Sequence, residues 1–335
     1  MVIGLTRFSI SAGVDRQRGV NPAVQRPAAT QGRRLGGLGV GRASAALLVT
    51  ILLLTGCRSL PERRVDERRG EEIVVAGRFF PADTRVVTWL DAGGYNLYLS
   101  PPAAPKNHEP RRALAGVTSK RGEWKRLQAA VDQLVLHYDN TGSSEATFGV
   151  LQRRGLSAHF LIDVDGTIYQ TLDLRERGWH ATVANERSIG VEIAQIGAYP
   201  PAESATLTRW YEPDPAGGIR LKTTRPGTFR PLRPDPIRGE IQGRELIQYD
   251  FTSEQYTALA HLAAALNRVF PKIRLDAPRD ANGRIPARKL DDKTYDAFTG
   301  LIGHYHIQEN KIDPGPAFQW EKLILDARNL RDERD

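Results

Sequence analysis

The sequence predicts a mixed α/β domain: a central mixed sheet with helices packed on it, preceded by a small β segment. Three observations carry this. Short apolar runs with β-branched residues recur between helical patterns. A strong hairpin signal, Asp165-Gly166, sits between two such runs. Thr252 and Gln255 have the spacing of a capping box, and Tyr256, Leu259, Leu262, Leu266 and Val269 follow at helical spacing.

The N-terminus reads as a targeting signal. Arg33, Arg34 and Arg42 precede the apolar run at residues 45–54. That run is shorter than the roughly 20 residues a membrane span needs, and it suits a signal peptide. It ends in Leu54-Thr55-Gly56-Cys57, and Cys57 is the only cysteine. The pattern resembles a bacterial lipobox, with Cys57 as the lipidated first mature residue. Without a second cysteine, disulfides and multi-thiolate metal sites are excluded. The net charge of +8 comes mostly from residues 1–56, which hold seven Arg and one Asp, leaving 40 basic and 38 acidic residues after them. No basic block with interleaved aromatics remains, so nucleic acid is not an expected partner.

The expected organisation is a signal peptide at 1–56, a charged tether at 57–70, a small β appendage and linker at 71–119, and a main domain at 120–330. Residues 73–75, 86–89 and 95–98 read as short strands of the appendage. In the main domain, Leu134-Val135-Leu136-His137 reads as a buried strand. Residues 144–154 read as a helix stopped by Gly155. Residues 158–163 and 167–171 form the hairpin arms, and 188–196 a further strand. Residues 200–249 are a long Pro- and Gly-rich insertion, far beyond ordinary loop length and so functional or partly disordered, either a wall or lid of a binding groove or a passive surface excursion. After the capped helix and an irregular stretch, a strand near Leu301-Ile302-Gly303-His304 precedes a last helix around Trp320.

The chemistry-bearing candidates emerge from these elements. His137 ends a run of large apolar residues and is either a satisfied core histidine or a ligand. His304 repeats the situation, and Asp313 follows nine residues later. Two imidazoles and one carboxylate are the ligand set of an open catalytic zinc site. His306 shares the strand parity of His304 and could compete with it. Glu192 faces away from Ile189, Val191 and Ile193, beside Gly190 and Ala194. A carboxylate there is either paired at the sheet edge or working, and its small neighbours leave room for a ligand.

Five pieces in order resemble the zinc-dependent N-acetylmuramoyl-L-alanine amidases of the type-2 class, relatives of the peptidoglycan-recognition proteins. They are Val135-Leu136-His137, the hairpin from Ser157 to Gln170, Trp179-His180-Ala181, the stretch from Asn185 through Ser188-Ile189-Gly190-Val191-Glu192-Ile193, and Gly303-His304 with Lys311-Ile312-Asp313-Pro314-Gly315. The resemblance spans about residues 134–320. It implies that His137, His304 and Asp313 bind Zn2+, that Glu192 is the general base, and that Lys311 stabilises developing negative charge. Trp179, His180 and Asn185 would contact substrate, and His159 would pack or support. The segment between His304 and Lys311 departs from the family form by lacking Pro-Gly-Arg, and His304 is preferred over His306 because it follows Gly303.

The implied activity is hydrolysis of the amide between N-acetylmuramic acid and the L-alanine of the peptidoglycan stem peptide. The rivals are a non-catalytic peptidoglycan-binding module, a zinc peptidase acting within the stem, and a purely structural lipoprotein. The expected partners are peptidoglycan or muropeptides and, through Cys57, a membrane. The chain is expected to work as a monomer on the periplasmic side of the envelope; Arg58 follows Cys57 where an inner-membrane retention signal would place Asp, so the outer membrane is the expected destination in a cell that has one.

Overall fold

The computed structural model describes residues 68–99 and 106–333, within the compact unit Cys57–Asp335. The expected signal peptide, the lipobox with Cys57 and most of the tether lie outside the described residues. No helix among the described residues is long and apolar enough to cross a membrane.

In chain order, β1 (Glu72–Val75) and β2 (Arg78–Pro81) form a hairpin that leads to β3 (Val86–Thr88). Next come β4 (His108–Pro110), α1 (Lys120–Ala130), β5 (Gln133–Tyr138), α2 (Ser144–Arg154), β6 (Phe160–Ile162), β7 (Ile168–Gln170), β8 (Glu176–Gly178) and β9 (Ser188–Ile193). Then follow α3 (Ala205–Trp210), β10 (Tyr211–Pro213), β11 (Ile219–Leu221), β12 (Ile237–Ile241) and β13 (Arg244–Gln248). The chain closes with α4 (Ser253–Val269), α5 (Asp292–Ala297), β14 (Gly300–Gly303), α6 (His304–Ile307) and α7 (Trp320–Asp332).

The central sheet has six strands in the order β14-β5-β9-β6-β7-β3. β14, β5, β9 and β6 run parallel, and β7 with β3 runs the other way. This is the mixed α/β architecture the sequence predicts. One face buries Leu134, Leu136, Ile189, Val191 and Ile193 with the apolar stripe of α4. On the other face Val135 and Ile302 pack against Ala181, Ala184 and Leu290. Burial on both sides explains why β5 reads as a continuous apolar run. Each fully buried Leu or Ile contributes about 1.5–3 kcal/mol relative to exposure.

The helix ends follow sequence chemistry. Thr252 and Gln255 make the reciprocal cap of α4, and Gly155 ends α2 in the left-handed conformation at φ 63°. Ser143 caps α2, its Oγ accepting from Ala146 N–H.

Four expectations change. The segment at 71–100 is not an appendage: β3 is the edge strand of the central sheet, and Ile73, Val75 and Phe80 belong to the main core. Gln170 stitches β1 to β7, accepting from Val74 N–H at 2.7 Å and donating to its carbonyl at 2.8 Å. Residues 95–98 are not a strand; Leu97–Leu99 is a 3-10 turn, and the Tyr95 ring packs on Phe148 and Tyr169. The connector holds fully buried Arg111, whose guanidinium donates to the carbonyls of Leu174, Asn185, Glu186 and Ser188. The insertion is ordered, with two hairpins, β10–β11 and β12–β13, and a small core of Leu207, Tyr211, Leu221, Phe229 and Ile247 against Val164, Ala194 and Ile196.

Candidate metal centre and cleft

The parallel register brings the candidates together. Gly303 pairs with Leu136 and His137 pairs with Glu192. His304, the next residue after Gly303, therefore leaves the sheet beside His137. All three groups sit at the carboxyl ends of adjacent parallel strands, where open α/β sheets form their crevices.

His137 Nδ1 and His304 Nδ1 lie 3.0 Å apart, and Asp313 Oδ2 lies 2.9 Å from each. All three residues are buried. The outer nitrogens allow a proton arrangement suited to a metal ion. His304 Nε2 donates to Gln308 Oε1 at 2.8 Å. His137 Nε2 faces His180 Nδ1 at 3.1 Å, and His180 Nε2 faces Ser188 Oγ at 3.3 Å. Donation from His137 to His180 to Ser188 satisfies both contacts, as does the reverse order starting from the Ser188 hydroxyl. In the first order two imidazole lone pairs and a carboxylate oxygen converge with no proton between them. Three acceptors at this spacing repel one another, and a cation held by all three removes the conflict. A triangle of this size can be capped by one ion at the usual zinc bond lengths of about 2.0–2.2 Å. The donor set therefore fits a metal ion.

The electrostatics keep His137 neutral and Asp313 ionised. Burial and the neighbouring His304 lower His137 to a pKa of about 4, against the pull of Asp313, so its imidazole is neutral. Burial alone would raise Asp313, but His304 and His137 together hold its carboxyl well below the usual range. Glu192 is pushed well above the usual carboxylate range, chiefly by burial. Asp313 and Asp139 act in the same direction, while Lys311 and Arg154 oppose them. Asp139 is raised to about 6 by burial, resisted by hydrogen bonds from Thr147 and the backbone N–H groups of Gln195, Thr141 and Gly142.

These groups line a cleft of about 480 Å³ with Lys311, Trp179, Tyr138, Arg154, Tyr199, Glu203 and Arg244. Among the candidate substrate contacts, Trp179 and His180 line it and Asn185 does not. Asn185 is turned inward, its Oδ1 accepting from His180 N–H at 3.1 Å and Ala181 N–H at 2.7 Å. It holds the loop that presents His180. The room beside Gly190 belongs to His180 and not to a ligand: a Cβ at Gly190 would lie 2.6 Å from His180 Cγ.

His306 is excluded from the triad. The strand ends at Gly303 and the chain turns into α6, so strand parity no longer applies. His306 Nδ1 accepts from Gly303 N–H at 3.0 Å, and Nε2 faces the Pro286 carbonyl at 2.8 Å. His159 likewise lies off the cleft, bonded to Gly190 N–H and the Glu176 carbonyl.

Two residues of the insertion support the site and were not foreseen. Gln242 occupies the two-residue turn of β12–β13 at φ 55°, a strained conformation for a side chain that is neither Gly nor Asn. Its Nε2 lies 2.8, 3.2 and 3.4 Å from the carbonyls of Tyr305, Gln308 and Lys311, and its Oε1 accepts from Lys289 N–H at 3.0 Å. Gln248 donates to the Pro314 carbonyl and accepts from Ala317 N–H, both at 3.0 Å. The hairpin thus clamps the segment carrying His304, Lys311 and Asp313 on both sides. The alternation Ile237-Arg238-Gly239-Glu240-Ile241-Gln242-Gly243 was a legible hairpin cue; its contact with residues 305–317 was not. Gln308, four residues after His304, would have been found by reading Gly303 as a helix start.

Comparison with known proteins adds the following. Residues 127–216 match the family model described as N-acetylmuramoyl-L-alanine amidase, which bears out the resemblance to type-2 amidases over that span. The 1,6-anhydro-N-acetylmuramyl-L-alanine amidase AmpD of Haemophilus influenzae is 24% identical over 182 residues. That match covers 54% of this chain and 64% of the relative, just under two thirds of its length. Among solved structures, AmiD from E. coli, in complex with anhydro-N-acetylmuramic acid-L-Ala-D-gamma-Glu-L-Lys, is 17% identical over 59% of this chain and 57% of its own, with a TM-score of 0.37. AmpDh3 from Pseudomonas aeruginosa, in complex with anhydromuramic pentapeptide, is 20% identical over 59% of this chain and 60% of its own, with a TM-score of 0.34.

Proposed function

We propose that this chain, similar over residues 127–216 to the N-acetylmuramoyl-L-alanine amidases, is a zinc-dependent hydrolase of the amide joining N-acetylmuramic acid to the L-alanine of the stem peptide. The observation that carries the reading is the convergence of His137, His304 and Asp313 in one cleft with Glu192 and Lys311.

Zinc suits two imidazole nitrogens and one carboxylate with an open fourth position. When bound, it supplies Lewis acidity that brings the pKa of water toward about 7. The chain's own groups do the rest. Glu192 takes a proton from the attacking water at a carboxylate oxygen and returns it to the departing alanine nitrogen. Burial raises its pKa, which strengthens it as the base that takes the proton. The Lys311 ammonium holds negative charge on the amide oxygen. Trp179 and His180 form part of the wall against which the sugar and peptide rest. All five principal groups come from one chain, so the site is complete without a second copy.

Incubation with anhydro-N-acetylmuramic acid-L-Ala-D-γ-Glu-L-Lys, with and without a chelator, tests the reading by product mass. Release of the intact tripeptide, abolished by the chelator and restored by zinc, is the expected result. Cleavage between amino acids would make the protein a peptidase, and retention without cleavage a recognition module.

We further propose that the mature protein sits in the cell envelope, anchored at Cys57 on the periplasmic side. The lipobox after the apolar run at 45–54 supports this, and Arg58 supports outer-membrane sorting. Mass measurement of the mature N-terminus tests it, with acyl chains on Cys57 as the expected finding.

A further inference from the structure

The insertion at 200–249 does more than buttress the metal loop: it delivers one cation into the cleft. We propose that Arg244 of the insertion, together with Arg154 at the end of α2, forms a subsite for a free carboxylate on the peptide portion of the substrate. The inference rests on the amidase reading above and names the acidic stem as what the second half of the cleft selects.

Both arginines line the same cleft as His137, His304, Asp313 and Glu192. Both are exposed, and neither guanidinium forms an ion pair or hydrogen bond among the described residues. This is unusual for the insertion. Arg220 pairs with Glu212, Arg225 with Asp163 and Asp165, Arg230 with Asp214, Arg233 with Asp250 and Arg238 with Glu245. Among the arginines of the insertion, Arg244 alone combines an unpaired guanidinium with a place in the cleft. The insertion also adds Glu203 to the cleft, and Glu203 pairs with neither arginine.

Arg244 is also pre-positioned. It follows the Gln242-Gly243 turn and pairs with Ile241 in the hairpin register. Gln242 pins that turn to three carbonyls of the metal loop. The arginine therefore projects from a fixed base, and binding costs less ordering than from a free loop.

The chemistry then selects the ligand. In a stem that continues from L-alanine into γ-linked glutamate, the α-carboxylate of that glutamate stays free, one residue beyond the amide to be cut. A guanidinium fork matches a carboxylate in a bidentate, charge-assisted pair. With Lys311 committed to the amide oxygen, Arg244 and Arg154 are the cleft cations left for that carboxylate.

The test compares two substrates, the acid anhydro-N-acetylmuramic acid-L-Ala-D-γ-Glu-L-Lys and its counterpart with the glutamate α-carboxylate as a carboxamide. The wild type is expected to prefer the acid by roughly 10–100-fold in kcat/KM, mostly through KM. In Arg244→Gln the preference falls toward unity, and in Arg154→Gln it falls in part. A preference unchanged in Arg244→Gln, or equal losses on both substrates, would overturn the subsite. Equilibrium binding of the free tripeptide and its carboxamide to the full chain supplies a second arm. If neither substrate is cut, the amidase reading fails, yet the binding arm still decides the subsite. Discrimination present in wild type and lost in Arg244→Gln supports it, and equal or absent binding of the two peptides overturns it.

Discussion

His137 and Glu192 are held by the sheet, whereas His304, Lys311 and Asp313 are held by a turn and by the side chains that clamp it. In the first region the backbone ladder of β5 and β9 sets the spacing, with His137 and Glu192 as register partners. In the second the chain leaves β14 at Gly303, makes the single turn of α6, and reaches Asp313 through a segment whose carbonyls are satisfied by Gln242 and Gln248. Sheet register is cooperative and tolerates loss of any one side chain. A clamped segment depends on a few specific amides. The same cleft therefore has a robust wall and a conditional one.

The largest expected effects come from the groups the two regions share. Asp313→Ala and His137→Ala should each reduce bound zinc from about one per chain to near zero, read by elemental analysis. Activity should fall by more than the roughly 10²–10⁴-fold a positioned acid–base group contributes. Zinc retained in both variants would assign the metal to other residues. Glu192→Gln should lose roughly 10²–10⁴-fold in kcat while keeping its zinc. Loss of metal in that variant would mean that the strand wall is less independent of the triad than its register implies.

The next effect separates the two walls. Gln242→Leu removes a side chain that touches no metal ligand directly. It should nonetheless weaken zinc binding roughly 10-fold, at the low end for supporting partners. The control is Gln170→Leu, which removes an equally specific amide, the one joining β1 to β7. That variant should lose about 1–3 kcal/mol of stability with zinc affinity unchanged. Equal effects of both on zinc would show that general loosening of the fold, not the clamp, explains the result.

The sheet region was the legible one. Strand parity placed Glu192 opposite Ile189, Val191 and Ile193, and an apolar run ending at His137 marked a strand end; both follow from period-2 patterning within one element. The clamp was not legible, because Gln242 and Gln248 act on residues more than 60 positions away and nothing local distinguishes them from surface glutamines. Parity also misled where an element ended early: His304 and His306 would share a face on a strand, and they diverge because Gly303 starts a helical turn. The hairpin at 72–81 with β3 looked separable because the segment after it is rich in Pro and charge. Its apolar residues find their partners in α4 and β7, far along the chain.

Burial itself does not distinguish the two walls, and the smallest predicted effect turns on that. His306 in the clamped region and His159 beside the sheet are both fully buried, and burial lowers each to a pKa of about 3 from 6.5. Between those values the unfolded chain binds a proton that the folded chain refuses. Stability from each is therefore complete above about pH 6.5 and is lost as pH falls toward 3, amounting to about 2 kcal/mol per histidine at pH 5. Denaturant unfolding of the metal-free protein at pH 7 and pH 5 measures this. His306→Gln and His159→Gln should each reduce the acid loss by about that amount, and to a similar degree. Zinc bound at pH 7 should stay near one per chain in His306→Gln, because its nitrogens face Gly303 and Pro286 instead of the triad. A loss of zinc there as severe as in His304→Ala would return His306 to the ligand set and undo the assignment of the turn.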